Sequence, residues 1–315
     1  MKVLLTGSSG FIGSRLLESL TGMRDYELSC MARMPVKYNE GVKVFISDLA
    51  SVTDWSEVLA GQQVIIHAAA RAHVLKDTAA DPLTEFRKVN TASTLNLARQ
   101  AAEAGVRRFV FISSIGVNGN QTLAPFTEMV TPKPQEPYAL SKFEAEQGLK
   151  EIADQSEMEV TIIRPPLVYG PNAPGNFGSL MRWTKKGIPL PLGAIHNKRS
   201  LIGIDNLVDF IITCIDHPAA ANQTFLVADG EDLSTTDLLR RVGQAMGKPA
   251  RLIPVPMSVL KFGARLLGKQ AMAQRLCGNL QVDISKARKL LGWEPLVSVD
   301  EGLRRAVRSN ADSER

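Results

Sequence analysis

The stretch "KVLLTGSSGFIGSRLLESL" (2–20) constrains the fold more than any other part of the chain. An apolar run, a turn with glycines at positions 7, 10 and 13, and a segment of helical period follow one another without a break. A strand that feeds a glycine turn and then a helix puts backbone N–H groups, and the positive end of the helix, where a phosphate can rest. Gly7, Gly10 and Gly13 permit the tight turn and close approach to a pyrophosphate, while Phe11 and Ile12 open the helix. The spacing is G-x-x-G-x-x-G, not the G-x-G-x-x-G fingerprint. An ordinary glycine-rich turn is the competing explanation for these residues taken alone.

The rest of the chain supplies the context. Strand-like runs at 2–6, 26–33, 42–48, 62–70, 107–114 and 158–164 alternate with segments of helical period at 12–22, 52–60, 81–104 and 138–154. Such alternation predicts an α/β fold with a doubly wound parallel sheet. The near-continuous apolar strands fit a sheet covered on both faces. After Arg164 a proline- and glycine-rich stretch (165–178) and a loop (185–193) change the character. A helix near 205–217, a strand at 223–228, a helix near 235–247, a short strand at 251–255 and further helical segments follow. The expected organisation is a dinucleotide-type domain over 1–165, a smaller lobe over 166–308 woven partly into the first, and a disordered tail over 309–315.

Composition narrows the function classes. At 315 residues, 44% hydrophobic and 22% charged, the chain is of ordinary globular type. No run approaches eighteen uninterrupted apolar residues, so no membrane span is expected. A strand-like run begins at once, without a charged-then-apolar leader, so a cytoplasmic location is expected. The three cysteines (Cys30, Cys214, Cys277) are scattered in apolar contexts and are read as buried free thiols. The four histidines form no pair at ligand spacing, so no metal site is expected. A net charge of +5 favours an anionic ligand or a membrane surface. Without a long basic block or interleaved aromatics, nucleic acid is not an expected partner.

Four positions bring chemistry. In "YALSK", Tyr138 and Lys142 share one face of a helical segment. An ammonium beside a phenol favours the phenolate and lowers its pKa, and a phenol so tuned can exchange a proton with a sugar hydroxyl or a ketone. The lysine can also reach a ribose. Ser114 follows the strand "RFVFIS", at the sheet edge where open α/β folds bind ligands. Its hydroxyl can donate to a carbonyl oxygen, unless Ser113 and Ser114 only form a turn. The second strand ends "CMAR", with Arg33 where an acid would hold an adenosine ribose. Arginine can pair with a 2′-phosphate, so NADP(H) is favoured over NAD(H), unless Arg33 stacks on adenine or faces water.

Together with "HAAA" (67–70), "KVN" ending at Asn90, "RPPLVYGP" (164–171) and "DISKARKLLGWEP" (283–295), these motifs resemble the extended short-chain dehydrogenase/reductases. More narrowly, nearly the whole chain resembles the NAD-dependent epimerase/dehydratase group acting on nucleotide sugars. The resemblance implies a Rossmann-type domain with a C-terminal substrate lobe. It implies that Ser114 polarises the substrate oxygen, that Tyr138 is the acid/base, and that Lys142 tunes Tyr138 and holds the nicotinamide ribose. Asp48 and Leu49 would border adenine, and Ala68, Ala69, Ala70 and Asn90 would line the cofactor. Asn176, Arg199 and Asp205 fall where family members contact or organise the nucleotide diphosphate, although Arg199 is also explicable as a solvated loop charge. A homodimer through 81–104 and 138–154 is common in similar proteins.

Departures from the family narrow the reaction. Hexose 4,6-dehydratases similar to this chain carry two acids directly after the Ser/Thr, where Ile115 and Gly116 stand here. Many 4-epimerases have an asparagine where Leu167 stands. "HAAARAHVLKD", "DPLTEFRKVN" and "SSIGVNG" resemble bacterial O-antigen enzymes that reduce UDP-4-keto-6-deoxy-N-acetylhexosamines. The expected activity is therefore NAD(P)H-dependent 4-reduction of such a UDP-sugar for surface polysaccharide synthesis. The alternative is a UDP-hexose or UDP-N-acetylhexosamine 4-epimerase with tightly bound NAD. A reductase of apolar ketones fits poorly with Lys198 and Arg199, and a non-catalytic NAD(P)-binding regulator fits poorly with an intact Tyr138 and Lys142. Arg71 and His73 follow "HAAA" and either face the sugar or pack; His67 is read as structural. The stripe at 258–276 carries Lys261, Arg265 and Lys269 on another face. It could lie on an anionic membrane, but packing on its own domain is expected, and membrane contact is not.

Overall fold

The computed structural model describes residues 1–33, 41–48, 50, 52–72 and 81–312. Strand β1 (Lys2–Thr6) leads through the glycine turn into α1 (Phe11–Thr21), and β2 (Glu27–Ala32), β3 (Lys43–Ile46), α2 (Ser56–Leu59) and β4 (Val64–His67) follow. Next come α3 (Pro82–Phe86), a π-helical turn (Arg87–Ala92), α4 (Ser93–Glu103), β5 (Arg108–Ile112), α5 (Pro137–Asp154) and β6 (Glu159–Arg164). The expected 81–104 helix is thus one helical run with a π turn inside it. Asp81 caps its start by accepting from the N–H groups of Leu83 and Thr84, and Pro82 occupies the first turn, where its missing N–H costs nothing.

The main sheet has seven parallel strands in the order β3-β2-β1-β4-β5-β6-β9, where β9 is Thr224–Leu226. Alternate strand residues feed two cores. Val3, Leu5, Val64, Ile66, Val110 and Ile112 pack against α1 and α7 (Ile204–Asp216). Leu4, Ile65, Phe109 and Phe111 pack on the opposite face, with Leu97 and Ala101 of α4 and Ala145 and Leu149 of α5. That alternation is the period-two geometry of a strand buried on both faces. The strand order reverses between β1 and β4, which opens a crevice at their carboxyl ends.

The second half of the chain gives β9 to this sheet and builds a three-stranded sheet of its own, β10-β8-β7 (Asp232–Leu233, Arg199–Gly203, Leu167–Tyr169). Helices α6 (Gly175–Lys185), α8 (Thr235–Ala245) and α12 (Val299–Asp312) surround a third core containing Tyr169, Phe177, Leu239 and Leu303. The expected strand at 251–255 is reduced to a single bridge, Leu190 to Leu252, because Pro254 and Pro256 cannot donate to a ladder. Helix α12 continues to Asp312, inside the stretch expected to be a disordered tail. The three cysteines are free and buried.

Gly7 sits at the reversal point with φ +73°, and a β-carbon there would lie 2.6 Å from the Ala69 nitrogen. Gly105 has a similar φ of +75° but open space around it. Gly105→Ala should therefore cost only the left-handed strain, about 1 kcal/mol, whereas Gly7→Ala should cost at least about 2 kcal/mol more. Urea unfolding of the two variants checks this; equal losses would mean that the two loops do not approach as described.

Candidate active site

The glycine turn is folded down onto the helix it starts. Gly10 N–H donates to the Gly7 carbonyl at 2.9 Å, and Ser14 N–H donates to the Gly10 carbonyl at 2.8 Å. A β-carbon on Gly13 would overlap the Gly7 oxygen and lie 2.6 Å from the Gly7 carbonyl carbon. No side chain caps α1, whose N-cap is the extended Gly10. Its first turn, at Phe11, Ile12 and Gly13, thus presents backbone N–H groups and a partial positive charge to the crevice. Across the crevice, Ala68 N–H donates to the Thr6 carbonyl at 3.3 Å and Ala69 N–H to Thr6 Oγ1 at 3.4 Å. Ser8 is buried and donates to the Met31 carbonyl at 3.3 Å, which pins the turn to β2. A cradle that backbone fills where a β-carbon would stand fits a dinucleotide pyrophosphate. Ala70, Arg33 directly after β2 and Asp48 after β3 are exposed at the same sheet edge. Leu49 and His73 lie outside the described residues.

The end of β5 gathers the catalytic candidates. Ser113 is buried and donates to Glu146 Oε1 at 2.5 Å. Ser114 is half-buried, and its Oγ accepts from Gly116 N–H at 3.1 Å. Lys142 is 1% exposed; its Nζ donates to the Ile112 carbonyl at 2.9 Å and lies 4.4 Å from the Phe111 ring centroid. That bond brings α5 to the strand end that bears Ser114. Tyr138 stands one helical turn before Lys142, half-buried and edge-on to Phe86 at 6.0 Å. The expected lowering of the Tyr138 pKa is not found. Burial pushes its phenol up to about 12, and burial pushes Lys142 down to about 7 against the raising influence of Glu146. Loss of water sets the direction for both groups, and the lysine's N–H is spent on a strand carbonyl. Gly116 also bears on the dehydratase question: a β-carbon there would lie 3.2 Å from Ala139 Cβ and 3.3 Å from Ser114 Oγ, with little room for an acid.

Glu146 and Asn118, which the motifs did not single out, and residues of the motifs themselves support this cluster. Arg164 and Glu146 form a buried ion pair at 2.5 Å, and Arg164 Nη1 donates to Asn118 Oδ1 at 2.9 Å. Glu146 thus holds Ser113 while its own charge is balanced. Its signal in the sequence was its place four residues after Lys142, on the same helix face. Asn90, on the π turn, accepts from Arg71 N–H at 2.8 Å and donates to the Arg71 carbonyl and to Ser141 Oγ, both at 3.1 Å. Fully buried, it clamps the loop after β4 to α5 and so acts on the cofactor slot by positioning. Arg71 lies 5.6 Å from the Phe86 ring that Tyr138 also touches. His67 is buried between Thr6 Oγ1 (2.8 Å) and Thr94 Oγ1 (3.0 Å). Burial and the Lys142 charge hold its imidazole down at about 3, so it is neutral and structural.

The second lobe contributes cations. Arg199 opens β8, half-buried, and donates to the Gly278 carbonyl at 3.1 Å. Burial, then the charge of Arg275, push its guanidinium below the ordinary value. The two arginines are thus candidates for an anion contact in the second lobe. Arg275, in α10 (Gln270–Cys277), was not visible as a partner from sequence spacing, because the two arginines lie on separate elements. It also donates to Glu136 Oε1 at 2.6 Å, and Glu136 is the residue from which α5 starts, two before Tyr138. Asn176 is exposed in the first turn of α6. Asp205 is placed differently from expectation: it bonds Arg15 Nε at 2.9 Å and Arg305 Nη1 at 2.7 Å, tying α1, α7 and α12 together.

Comparison with known proteins agrees with this geometry. The family model described as the NAD dependent epimerase/dehydratase family matches residues 3–228. A UDP-glucose 4-epimerase of Vibrio cholerae is 49% identical over 310 residues, which cover 98% of this chain and 94% of the relative. The N-acetyl-alpha-D-glucosaminyl-diphospho-ditrans,octacis-undecaprenol 4-epimerase of Escherichia coli O157:H7 is 27% identical, over 97% of this chain and 94% of the relative. The fold is similar to that of the UDP-glucuronic acid 4-epimerase from Bacillus cereus in complex with NAD. The TM-score is 0.82 at 21% identity, over the whole of both chains.

The buried lysine has a consequence for stability. Below a pH of about 7, Lys142 is charged in the folded chain, and that buried charge costs stability. As pH rises toward the unfolded value of 10.5, only the unfolded chain still binds the proton, so the parent gains stability. Lys142→Met should therefore be more stable than the parent at acidic pH, with the difference shrinking as pH rises. Unfolding midpoints across pH measure this; a pH-independent difference would contradict a neutralised buried lysine.

Proposed function

Because this chain belongs to the NAD dependent epimerase/dehydratase family, we propose that it is a nucleotide-sugar 4-epimerase acting on a UDP-hexose or UDP-N-acetylhexosamine. The observation that carries this reading is the near full-length 49% identity to a UDP-glucose 4-epimerase, which sets 4-epimerisation ahead of the 4-reduction favoured by the motifs. The relative acting on a lipid-linked N-acetylglucosaminyl diphosphate supports including N-acetylhexosamines.

In this reading the residues divide the work. Gly7, Gly10 and the first turn of α1 hold the cofactor's pyrophosphate against Ala68–Ala70. Bound NAD supplies a hydride acceptor at C4 that can return the hydride to the other face. As phenolate, a form that the positive charge of a bound nicotinamide would favour against the upward pull of burial, Tyr138 takes the proton of the C4 hydroxyl and gives it back at the end of turnover. Ser114 donates to the C4 oxygen as it becomes a ketone. Lys142 fixes α5 against β5 through the Ile112 carbonyl, which keeps Tyr138 and Ser114 in one site. Arg199 and Arg275 hold the diphosphate, away from the reacting carbon, so the sugar can turn over while the nucleotide stays anchored.

Two residues favour the second reading, an NADPH-dependent 4-reductase. Arg33 suits a 2′-phosphate, and Leu167, half-buried in β7 beside Leu201, offers no amide to the sugar. Incubation of the purified protein with UDP-glucose, UDP-galactose or UDP-GlcNAc, without added cofactor, separates the two. Interconversion followed by NMR is expected. No interconversion, together with stoichiometric NAD(P)H consumption on UDP-4-keto-6-deoxy-GlcNAc, would replace the epimerase reading by the reductase. Dinucleotide released by denaturation identifies NAD or NADP. Tyr138→Phe should lower kcat by about 10²–10⁴-fold and still carry its dinucleotide. Arg275→Met should raise KM about tenfold or more with a smaller change in kcat, as expected when a charge-assisted contact to a non-reacting group is lost.

A further inference from the structure

The inner edge of the helical hairpin of α9 (Met257–Leu266) and α10 joins the third core through Cys277, and α10 carries Arg275, but its outer face is absorbed by neither the site nor the cores. Helix α9 has no buried residue. Met257 and Leu260 rest partly on the third core, but Phe262, Leu266 and Leu267 are 64%, 71% and 72% exposed, and Val259 and Met272 are exposed beside them. β-Carbons built on Gly263 and Gly268 meet nothing within 4 Å, so this side of the hairpin is open. The expected packing of the whole stripe on its own domain therefore holds only for its inner edge.

Charge identifies what the open face suits. Residues 238–282 contain eight Lys or Arg and no Asp or Glu. Lys261, Arg265 and Lys269 are exposed among the apolar side chains. Large exposed apolar groups beside cations that no acid of this segment offsets are complementary to an anionic lipid surface; among these cations Glu136, at the start of α5, pairs only with Arg275. A second copy of the same face would set like charge against like charge. No helix among the described residues is long and apolar enough to cross a bilayer, so contact of this kind lies in the interfacial plane.

We propose that the α9–α10 hairpin docks in the plane of an anionic membrane, with Phe262, Leu266 and Leu267 entering the headgroup boundary and Lys261, Arg265 and Lys269 meeting lipid phosphates. Helix α10 also carries Arg275, so docking holds the anion-binding side of the second lobe near the bilayer. The proposal stands on exposure and charge and does not depend on which reaction occurs at C4.

Co-sedimentation of the full-length protein with vesicles tests it. Vesicles containing phosphatidylglycerol should retain the protein, vesicles of phosphatidylcholine alone should retain far less, and added salt should release it. The double variants Phe262→Ser/Leu266→Ser and Lys261→Gln/Arg265→Gln should each lower partitioning about tenfold. Turnover of soluble substrate and unfolding midpoints should stay unchanged, because these side chains touch neither the site nor a core. Equal retention on both vesicle types, or retention unaffected by the substitutions, would overturn the proposal. Absence of lipid binding, with a dimer dispersed by the same substitutions in sedimentation velocity, would assign the face to a second copy. Absence of lipid binding, with an acidic protein partner whose binding the same substitutions abolish, would assign it to that partner; either result overturns the proposal.

Discussion

The closeness of the loops after β1 and β4 is the constraint on which the rest depends. The space at Gly7 that a β-carbon would fill is already taken by the backbone of Ala68 and Ala69. Two strands whose order reverses there would otherwise leave a gap to be filled by side chains. With glycine, the backbone N–H groups of the turn and of α1 line the crevice instead. Ser8, Thr6 and Asn90 then secure the three walls: Ser8 to β2, Thr6 to the β4 loop, and Asn90 from the π turn to both that loop and α5. The π turn has a purpose in this arrangement. It carries Asn90, buried and bonded to both that loop and α5.

The candidate catalytic end of the crevice is ordered by a buried lysine on a strand carbonyl rather than by a tyrosine–lysine contact. Lys142 is held by the Ile112 carbonyl, is shielded by the Phe111 ring, and lies one turn from a Glu146 already paired with Arg164. Removing one member of such a pair is costlier than never having built it, because the partner is left charged in an apolar place. The lysine therefore works first as a splint between β5 and α5. Its place on the Tyr138 face follows from the same four-residue spacing that made the motif recognisable. The two lobes meet at this helix as well, since Arg275 reaches Glu136 at its start.

Much of this was legible in the residues. The six main strands and their helices follow from apolar runs and glycine ends, and the glycine turn announced its own conformation. Local periodicity could not report the pairing of β9 with β6, because that contact is set by the third dimension. The strand expected at 251–255 failed on its prolines. Tyr138, Lys142 and Ser114 were readable by spacing and position, but the direction of the Tyr138 shift was not, since burial is a property of the folded neighbourhood. Arg275 and the Asp205 bridge escaped for the same reason. Each draws its meaning from a partner on a distant element.

The central claim is that one crevice holds a dinucleotide while Tyr138 and Ser114 handle the C4 oxygen of a sugar anchored by its diphosphate. A UDP-hexose deuterated at C4, turned over by the purified protein in ordinary water without added dinucleotide, tests it most directly. Product inverted at C4 with the deuterium still at C4 is the result expected. Deuterium lost to solvent, or turnover that appears only with stoichiometric consumption of added NAD(P)H, would contradict it.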